Sequence, residues 1–552
     1  MVAVQTFKSI FPDVEVPLAD LPTFWFEQMR QIDDFARSDR PRPVFVDEGG
    51  TPLYLAQIEA LVRRLASGLY HDVGVRRGSV VAVVLPNTIY YLAVTLAVHM
   101  LGATCMPVNP AYTAGELGGQ LAAAAVRFVL AAAAVRPMVE DAMARAALSA
   151  RDHLVLVSDP DDAAAHGGVR TMHGILRDAL FPRHQPRTLE ALRGAVAFIC
   201  YSGGTTGLSK AAMLSHYNIV ANIMQGRRAQ SQFRPASGLP RTSLVVLPMF
   251  HSFGLVLAAH SLPLCGSSLV VARGFSAEKF LSLVERHRVT DTQLVAPAIN
   301  AISRLPPSAA ALATLEWIVS GAAPLSTSVI ERLESAFPGT KVMKGYGLTE
   351  TSPGVSLNIP GYRNTESSGY LLPSIEAKVV DDNGRMLGAG EVGELCFRGP
   401  NVMLGYLGQP EATRDAIDAD GFLHTGDIGY ITTHVFVTDR KKELIKFNGF
   451  QIAPAELETL LMQHPHVADC AVVGIFDEKR QTEVPRAFVV LDAPADGDAR
   501  LAESIADWFN ERVAYYKRLR GGCVAVRSIP KSPAGKILRR MLRAPAPVPA
   551  KL

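Results

Sequence analysis

Between residues 44 and 200 short β-branched apolar runs alternate with Ala- and Leu-rich stretches. Residues 80–85 read as a buried strand, 88–101 as a helix and 104–108 as the next strand. Thr113 and Glu116 have the spacing of a capping box and open a helix through 120–125. Residues 128–130, 154–157 and 195–200 continue the strands, and the alternation resumes at 243–247, 268–272, 291–295 and 317–319. This pattern predicts an α/β fold with mostly parallel sheets. From residue 377 it changes to hairpins, with turn signals at Asp382–Gly384 and Asp420–Gly421, which predicts a small β-barrel-like portion. After Asp439 a smaller α+β unit follows, with helices at 454–462 and 502–512 and strands at 470–474 and 486–491. Residues 159–187 and 493–498 read as loops. The expected division is a large N-terminal domain over 1–440, a small C-terminal domain over 441–543 and an extended tail over 544–552.

A length of 552 residues exceeds what one hydrophobic core organises. The most membrane-like stretch, 80–108, is broken by Pro86, Asn87 and Gly102. Its central piece is shorter than the roughly 20 residues a span requires, so no integral membrane protein is expected. A net charge of +3 speaks against a nucleic-acid partner. The six cysteines lie far apart with no CxxC pair, which argues against a disulfide framework or a zinc site and for a reducing compartment. Asp13 and Glu15 interrupt the N-terminal segment early, so no secretory signal is expected.

The most informative stretch is YSGGTTGLSKAAMLSH, 201–216. After a buried strand it places Gly203, Gly204 and Gly207 among Ser202, Thr205, Thr206 and Ser209, and then Lys210. Glycines let backbone N–H groups approach an anion, hydroxyls add donors, and the lysine adds a compact positive charge. Such a loop can wrap polyphosphate. It is not a Walker loop, which needs Gly directly before the lysine and Ser or Thr after it. Its wording resembles the phosphate signature of the adenylate-forming superfamily, which comprises acyl-CoA ligases, peptide-synthetase adenylation domains and firefly luciferase. Ser209 stands where that signature has proline, and Ala212 where glycine is frequent.

Six further segments resemble the same superfamily in order, closest to its 4-coumarate:CoA ligase and luciferase branch. PMFHSFGL, 248–255, implies that His251 and Phe253 line the passage from nucleotide to acyl pocket. SGAAPL, 320–325, implies that Gly321, Ala322 and Ala323 form a flat floor for adenine. In KGYGLTE, 344–350, Tyr346 can stack on adenine beside Gly347, Thr349 offers a hydroxyl to the α-phosphate, and Glu350 a hard oxygen for Mg²⁺. HTGDIG, 424–429, places Asp427 to accept from the ribose hydroxyls. In 439–458 the resemblance makes Arg440 a ribose and phosphate contact, Lys442 the hinge of a mobile small domain, Lys446 and Gln451 adenylate contacts, and Gly449 with Phe450 the turn facing the CoA thiol arm. Asn448 departs from the lysine usual there. IPKSPAGKILRR, 529–540, holds Lys536 at a loop tip, while Lys531, Arg539 and Arg540 read as a solvated basic terminus.

The resemblance implies an ATP-dependent acyl-CoA ligase with ATP, Mg²⁺ and coenzyme A as cofactors and a small-molecule carboxylic acid as partner. Lys536, Lys210, Thr349 and His251 are the implied catalytic set, and His251, Phe253, Leu257, Asn300, Gly321 and Pro353 the implied acyl pocket. Phe253 stands where a hydroxycinnamate ligase often has tyrosine, and Leu257 where a small hydroxyl residue is typical. Losing both handles points to a medium-chain, branched or aryl acid. Alternatives are a 4-coumarate:CoA ligase proper, a luciferase-like oxygenase, and a non-catalytic nucleotide binder. Ala550, Lys551 and Leu552 resemble a peroxisomal address, which implies an import receptor and a peroxisomal location.

Overall fold

The computed structural model describes residues 6–36, 39, 41–157, 168–202, 210–233, 237–306, 313–441, 443–447, 450–478, 480, 482–492, 498–532 and 535–543. The phosphate-loop residues Gly203, Gly204, Thr205, Thr206 and Gly207, the hinge residue Lys442, Asn448 and Gly449, and the tail lie outside the described residues.

A large N-terminal domain holds three sheets. In the first, Val80–Val84 lies between Thr104–Pro107 and Phe128–Ala132, all parallel, with Val81 level with both Cys105 and Phe128. These strands are buried on both faces, which is why they read as continuous apolar runs rather than alternating ones. The helix expected over 88–101 is Tyr91–Met100. A turn precedes it, with the Tyr91 N–H donating to the Thr88 carbonyl, and before that turn Asn87 is committed elsewhere: its Nδ2 donates to the Leu247 carbonyl and its Oδ1 accepts from the Met249 N–H. One side chain thereby ties the first sheet to a strand end of the second.

The second sheet runs Thr242–Val245, Asp291–Leu294, Trp317–Ser320 and Lys341–Gly347 in parallel, then turns antiparallel into Gly354–Leu357. The hairpin-rich segment forms an open five-stranded antiparallel sheet, half a barrel, from Phe7–Lys8, Glu376–Val380, Gly393–Arg398, Leu423–Ile431 and Val435–Arg440.

The small C-terminal domain packs Pro454–Leu461 and Asp498–Asn510 on a three-stranded sheet of Val467–Asp477, Thr482–Leu491 and Cys523–Ala525. Its own core is built on Ile452, Leu457, Val472, Val489, Ile505 and Phe509. All six cysteines are free thiols. Among the described residues no helix is long and apolar enough to cross a membrane.

Arg539 is not part of a solvated terminus. It is buried at 9% exposure, where its guanidinium bonds Glu443, both oxygens of Glu458 at 2.7 and 2.8 Å, and the Val472 carbonyl at 3.1 Å. Lys531 is likewise engaged, 2.5 Å from Asp469.

Candidate active site

One cavity of ≈ 1720 Å³ runs between the two large sheets, the half-barrel and the small domain. Its large-domain wall is made where parallel strands end: Gln293 and Gly345 to Gly347 lie in the carboxyl-terminal halves of their strands, and Gly321, Ala322 and Leu348 to Glu350 follow strand ends. Open α/β sheets bind ligands at such ends. Gly347 is required sterically, since a Cβ there would meet the Pro353 carbonyl oxygen at 1.9 Å. At Gly321 a Cβ would stand 3.5 Å from the Phe253 ring, so its absence leaves a flat backbone surface beside that ring.

One end of the cavity is framed by two paired strands. Strands Val196–Ser202 and Lys210–Ser215 pair antiparallel with Ser202 opposite Lys210, and both residues line the cavity. The Lys210 ammonium stands 4.7 Å over the Tyr406 ring, and the Tyr406 hydroxyl donates to Glu350 Oε1 at 2.9 Å. Burial and the neighbouring Glu350 carboxylate push the Tyr406 phenol upward, so it stays a donor. Tyr406 was not anticipated from sequence; nothing local marks it, because its partners are brought from distant strands.

Thr349 and Glu350 begin a short 3₁₀ turn, Thr349–Thr351, whose Thr351 hydroxyl oxygen accepts from the Leu348 N–H at 3.0 Å. Among the described residues no group of three or more His, Cys, Asp or Glu side chains could hold a metal alone. Glu350 as a single carboxylate, bonded to the Tyr406 that carries the Lys210 ammonium over its ring, fits a Mg²⁺ that would take most of its ligands from substrate phosphates and water.

Asp427 is buried at 2% exposure and accepts from the Tyr346 hydroxyl at 2.6 Å, while Arg440 Nε faces its other oxygen at 2.9 Å. Burial raises the Asp427 carboxyl and Arg440 opposes that rise. The contact with Arg440 is an ion pair outside hydrogen-bond geometry, so that oxygen keeps acceptor capacity. Tyr346, Thr425, Gly426 and Arg440 line the cavity, with Asp427 immediately behind them.

His251, Phe253, Leu257 and Pro353, the residues expected on the acyl side, line the same cavity. Burial lowers His251 to about 4, and its Nδ1 accepts from the Phe253 N–H at 3.3 Å, so the ring is neutral. Asn300 is not brought to the cavity. Its Nδ2 donates to the Ala468 carbonyl at 2.8 Å, and neighbouring Arg304 pairs with Asp492, so this helix holds the small domain. Ala323 also lies outside the lining. Lys446 lines the cavity; Gln451 sits opposite it in the hairpin Ile445–Phe447 and Phe450–Ile452.

Lys536 reaches the same cavity from the small domain. Its loop is closed by Ser532 N–H to Lys536 carbonyl at 2.8 Å and Leu538 N–H to Pro530 carbonyl at 2.8 Å. Gly535, at φ +77, presses on the large domain, where a Cβ would come within 3.0 Å of Val295. Burial lowers the Lys536 ammonium to about 8, helped by Arg440 and opposed by Glu443 and Asp427.

Residues 32–407 match the model of the AMP-binding enzyme family, and 456–536 match that of the AMP-binding enzyme C-terminal domain. A 4-coumarate–CoA ligase 5 of Oryza sativa subsp. japonica is 35% identical over 561 residues, 98% of this chain and 97% of the relative. A 4-coumarate-CoA ligase 1 of Narcissus pseudonarcissus is 34% identical over 562 residues, 98% and 96% of the two chains. The ATP-bound crystal structure of MatB from Rhodopseudomonas palustris superposes with a TM-score of 0.78 at 25% identity, covering 94% of this chain and 98% of that one. With both domain models matched in order and the relatives aligned almost end to end, the chain belongs to the AMP-binding enzyme family.

Proposed function

We propose that this chain is an AMP-forming acid–thiol ligase that activates a carboxylic acid with ATP and passes the acyl group to coenzyme A. The observation that carries the reading is the convergence of Lys210 and Glu350 from the large domain with Lys536 from the small one on a single cavity. The 4-coumarate–CoA ligase relatives and the ATP-bound neighbour support it.

In the first half-reaction a carboxylate oxygen attacks the α-phosphorus of ATP, the bond to the bridging oxygen breaks, and pyrophosphate leaves with that electron pair. Two anions must approach, so positioning and charge neutralisation do most of the work. Lys536 bridges the acyl carboxylate and α-phosphate, Thr349 donates to that phosphate, and Lys210 with the 202–209 hydroxyls holds the departing end. Glu350 would hold a Mg²⁺, which would supply further charge neutralisation there. Asp427 and Arg440 fix the ribose, and Tyr346 stacks on adenine over Gly321 and Ala322.

In the second half-reaction the CoA sulfur attacks the acyl carbonyl and AMP leaves. Lys536 occupies the space a thiol would need, so the small domain, taken as 441–543, turns about Lys442 and brings Gly449 and Asn448 to the site. Lys446 and Gln451 contact the adenylate. His251 gates the acyl passage.

The acyl walls contributed by Phe253, Leu257, Leu262 and Leu357 fit a medium-chain, branched or aryl acid body. The identity to 4-coumarate–CoA ligases favours an arylpropenoic acid as the second reading. Pyrophosphate exchange across a panel of carboxylic acids tests adenylation. AMP release that requires both an acid and CoA is the expected result; release that ignores CoA would replace the ligase with another adenylating enzyme.

A further inference from the structure

The acyl side of the cavity has apolar walls, yet it meets a polar floor. Gly226, Leu257 and Gln230 all line it, and a Cβ on Gly226 would lie 3.5 Å from Leu257 Cδ2 and 3.8 Å from Gln230 Nε2. Gln230 is buried at 9% exposure. Its Oε1 accepts from Arg241 at 3.2 Å, and a guanidinium can only donate, so the amide oxygen must face Arg241. That fixes the orientation of the amide and leaves its NH₂ directed away from Arg241. Arg241 is itself held by Asp291, Nε to Oδ2 at 2.7 Å, and the Ser243 hydroxyl donates to the same carboxylate.

Gln293 stands two residues along the strand from Asp291 and therefore on the same face. It lines the cavity beside its register partner Val319. At 4% exposure its Oε1 is buried and has no protein hydrogen-bond partner. Buried side-chain acceptors in folded proteins are satisfied as a rule, so one left unpaired on a residue that lines a cavity points to a ligand donor that the amide turns to meet. The charges beneath it are already paired, Arg241 with Asp291, so a second carboxylate or an ammonium would find no counter-ion here.

We propose that Gln230 and Gln293 are specificity-determining residues that read a hydroxyl at the distal end of the acid. The hydroxyl oxygen accepts from Gln230 Nε2 and its proton is donated to Gln293 Oε1; a hydroxyl is the simplest neutral group that does both. Arg241 acts as a positioning residue through the Gln230 amide. The inference rests on the ligase reading and deepens it: the acid has an apolar body and a hydroxylated tip. This handle is on different elements from positions 253 and 257, where the side chains carry none.

The test measures acid-dependent AMP release for matched pairs, para-hydroxyphenylpropanoic against phenylpropanoic acid and ω-hydroxyoctanoic against octanoic acid, with wild type, Gln293→Met and Gln230→Met. In at least one pair wild type is expected to favour the hydroxylated member by about tenfold or more in kcat/KM, because the analogue leaves buried polar groups unpaired. Both variants are expected to move that ratio toward one by lowering kcat/KM for the hydroxylated member. Equal turnover of both members by wild type, or a fall in the variants that leaves the ratio where it was, overturns the inference and leaves the ligase standing. No acid-dependent AMP release with any acid overturns the ligase reading, and this one with it.

Discussion

Replacing Arg539 with methionine removes the cation from the most enclosed ionic cluster of the small domain. The stem volume is nearly kept, so the perturbation is electrostatic. Four hydrogen bonds disappear, to Glu443, to both oxygens of Glu458 and to the Val472 carbonyl. Two carboxylates stay behind, Glu443 at 7% and Glu458 at 8% exposure. Breaking a buried pair by deleting one partner costs about 3–5 kcal/mol, chiefly through the charge left unpaired. The pH dependence follows from the remaining acids. Burial already raises Glu458, with Arg539 the largest opposing influence, so the variant raises it further. A carboxyl whose folded pKa exceeds its unfolded one binds more protons when folded, so the variant's stability falls as pH rises above about 4.5. The deficit relative to wild type is therefore expected to be larger at pH 8 than at pH 5.5. Thermal unfolding of the small domain, followed by hydrogen exchange of Val467–Asp477 amides, reads it. Arg539→Met combined with Glu458→Gln should recover part of the loss. A single variant within about 1 kcal/mol of wild type, or a deficit that does not change with pH, would refute the reasoning.

Lys536→Ala is expected to slow acyl-adenylate formation by about 10²–10³-fold while a supplied acyl-adenylate still forms thioester; equal loss in both steps argues against a two-position small domain. Because the Lys536 ammonium is lowered to about 8, adenylation by wild type should decline as pH rises through that value, and the Ala variant should lack this limb in a pH–rate profile. Asp427→Asn removes the charge facing Arg440 and Tyr346, and is expected to raise the KM for ATP by about 10–100-fold, from ~1.5–3 kcal/mol per charged hydrogen bond; an unchanged KM would place the nucleotide elsewhere. His216 and His260 are each lowered to about 4 by burial, and His216 Nδ1 already accepts from the Leu21 N–H. The unfolded chain takes up those protons near pH 6.5, so stability should fall between pH 6.5 and 4, by up to ~3 kcal/mol per histidine; a flat melting temperature across that window contradicts it.

The α/β architecture was legible because strands buried on both faces are uninterrupted β-branched runs, as at Val80–Val84, and because capping residues mark helix starts, as Thr113 does. The order of short motifs carried the family, and part of each motif is a local requirement, such as the glycine at 347 that lets strand and Pro353 touch. Side chains whose meaning depends on a distant partner were not legible. Arg539 sits in a basic run that looks solvated, and its counter-charges lie 81 and 96 positions earlier. Asn300 was expected in the acyl pocket, but its amide is spent on the Ala468 carbonyl across the domain interface.

The same limit bears on substrate choice. Phenylalanine at 253 and leucine at 257 describe walls, and walls alone argue for an apolar acid. What closes the pocket comes from a helix, His216–Gln230, and a strand, Asp291–Leu294, that no motif joins. Aspartate, threonine and glutamine in a strand wholly buried in a parallel sheet conflict with the pattern that makes such strands apolar. Such conflicts between local sequence and fold are expected where function demands them. Here Asp291 is satisfied by Arg241 and Ser243, and Thr292 by donating to the Leu244 carbonyl, which leaves Gln293 Oε1 as the open acceptor of the strand. A polar residue tolerated in such a strand without a partner is better explained by a ligand it meets than by packing it fails to complete.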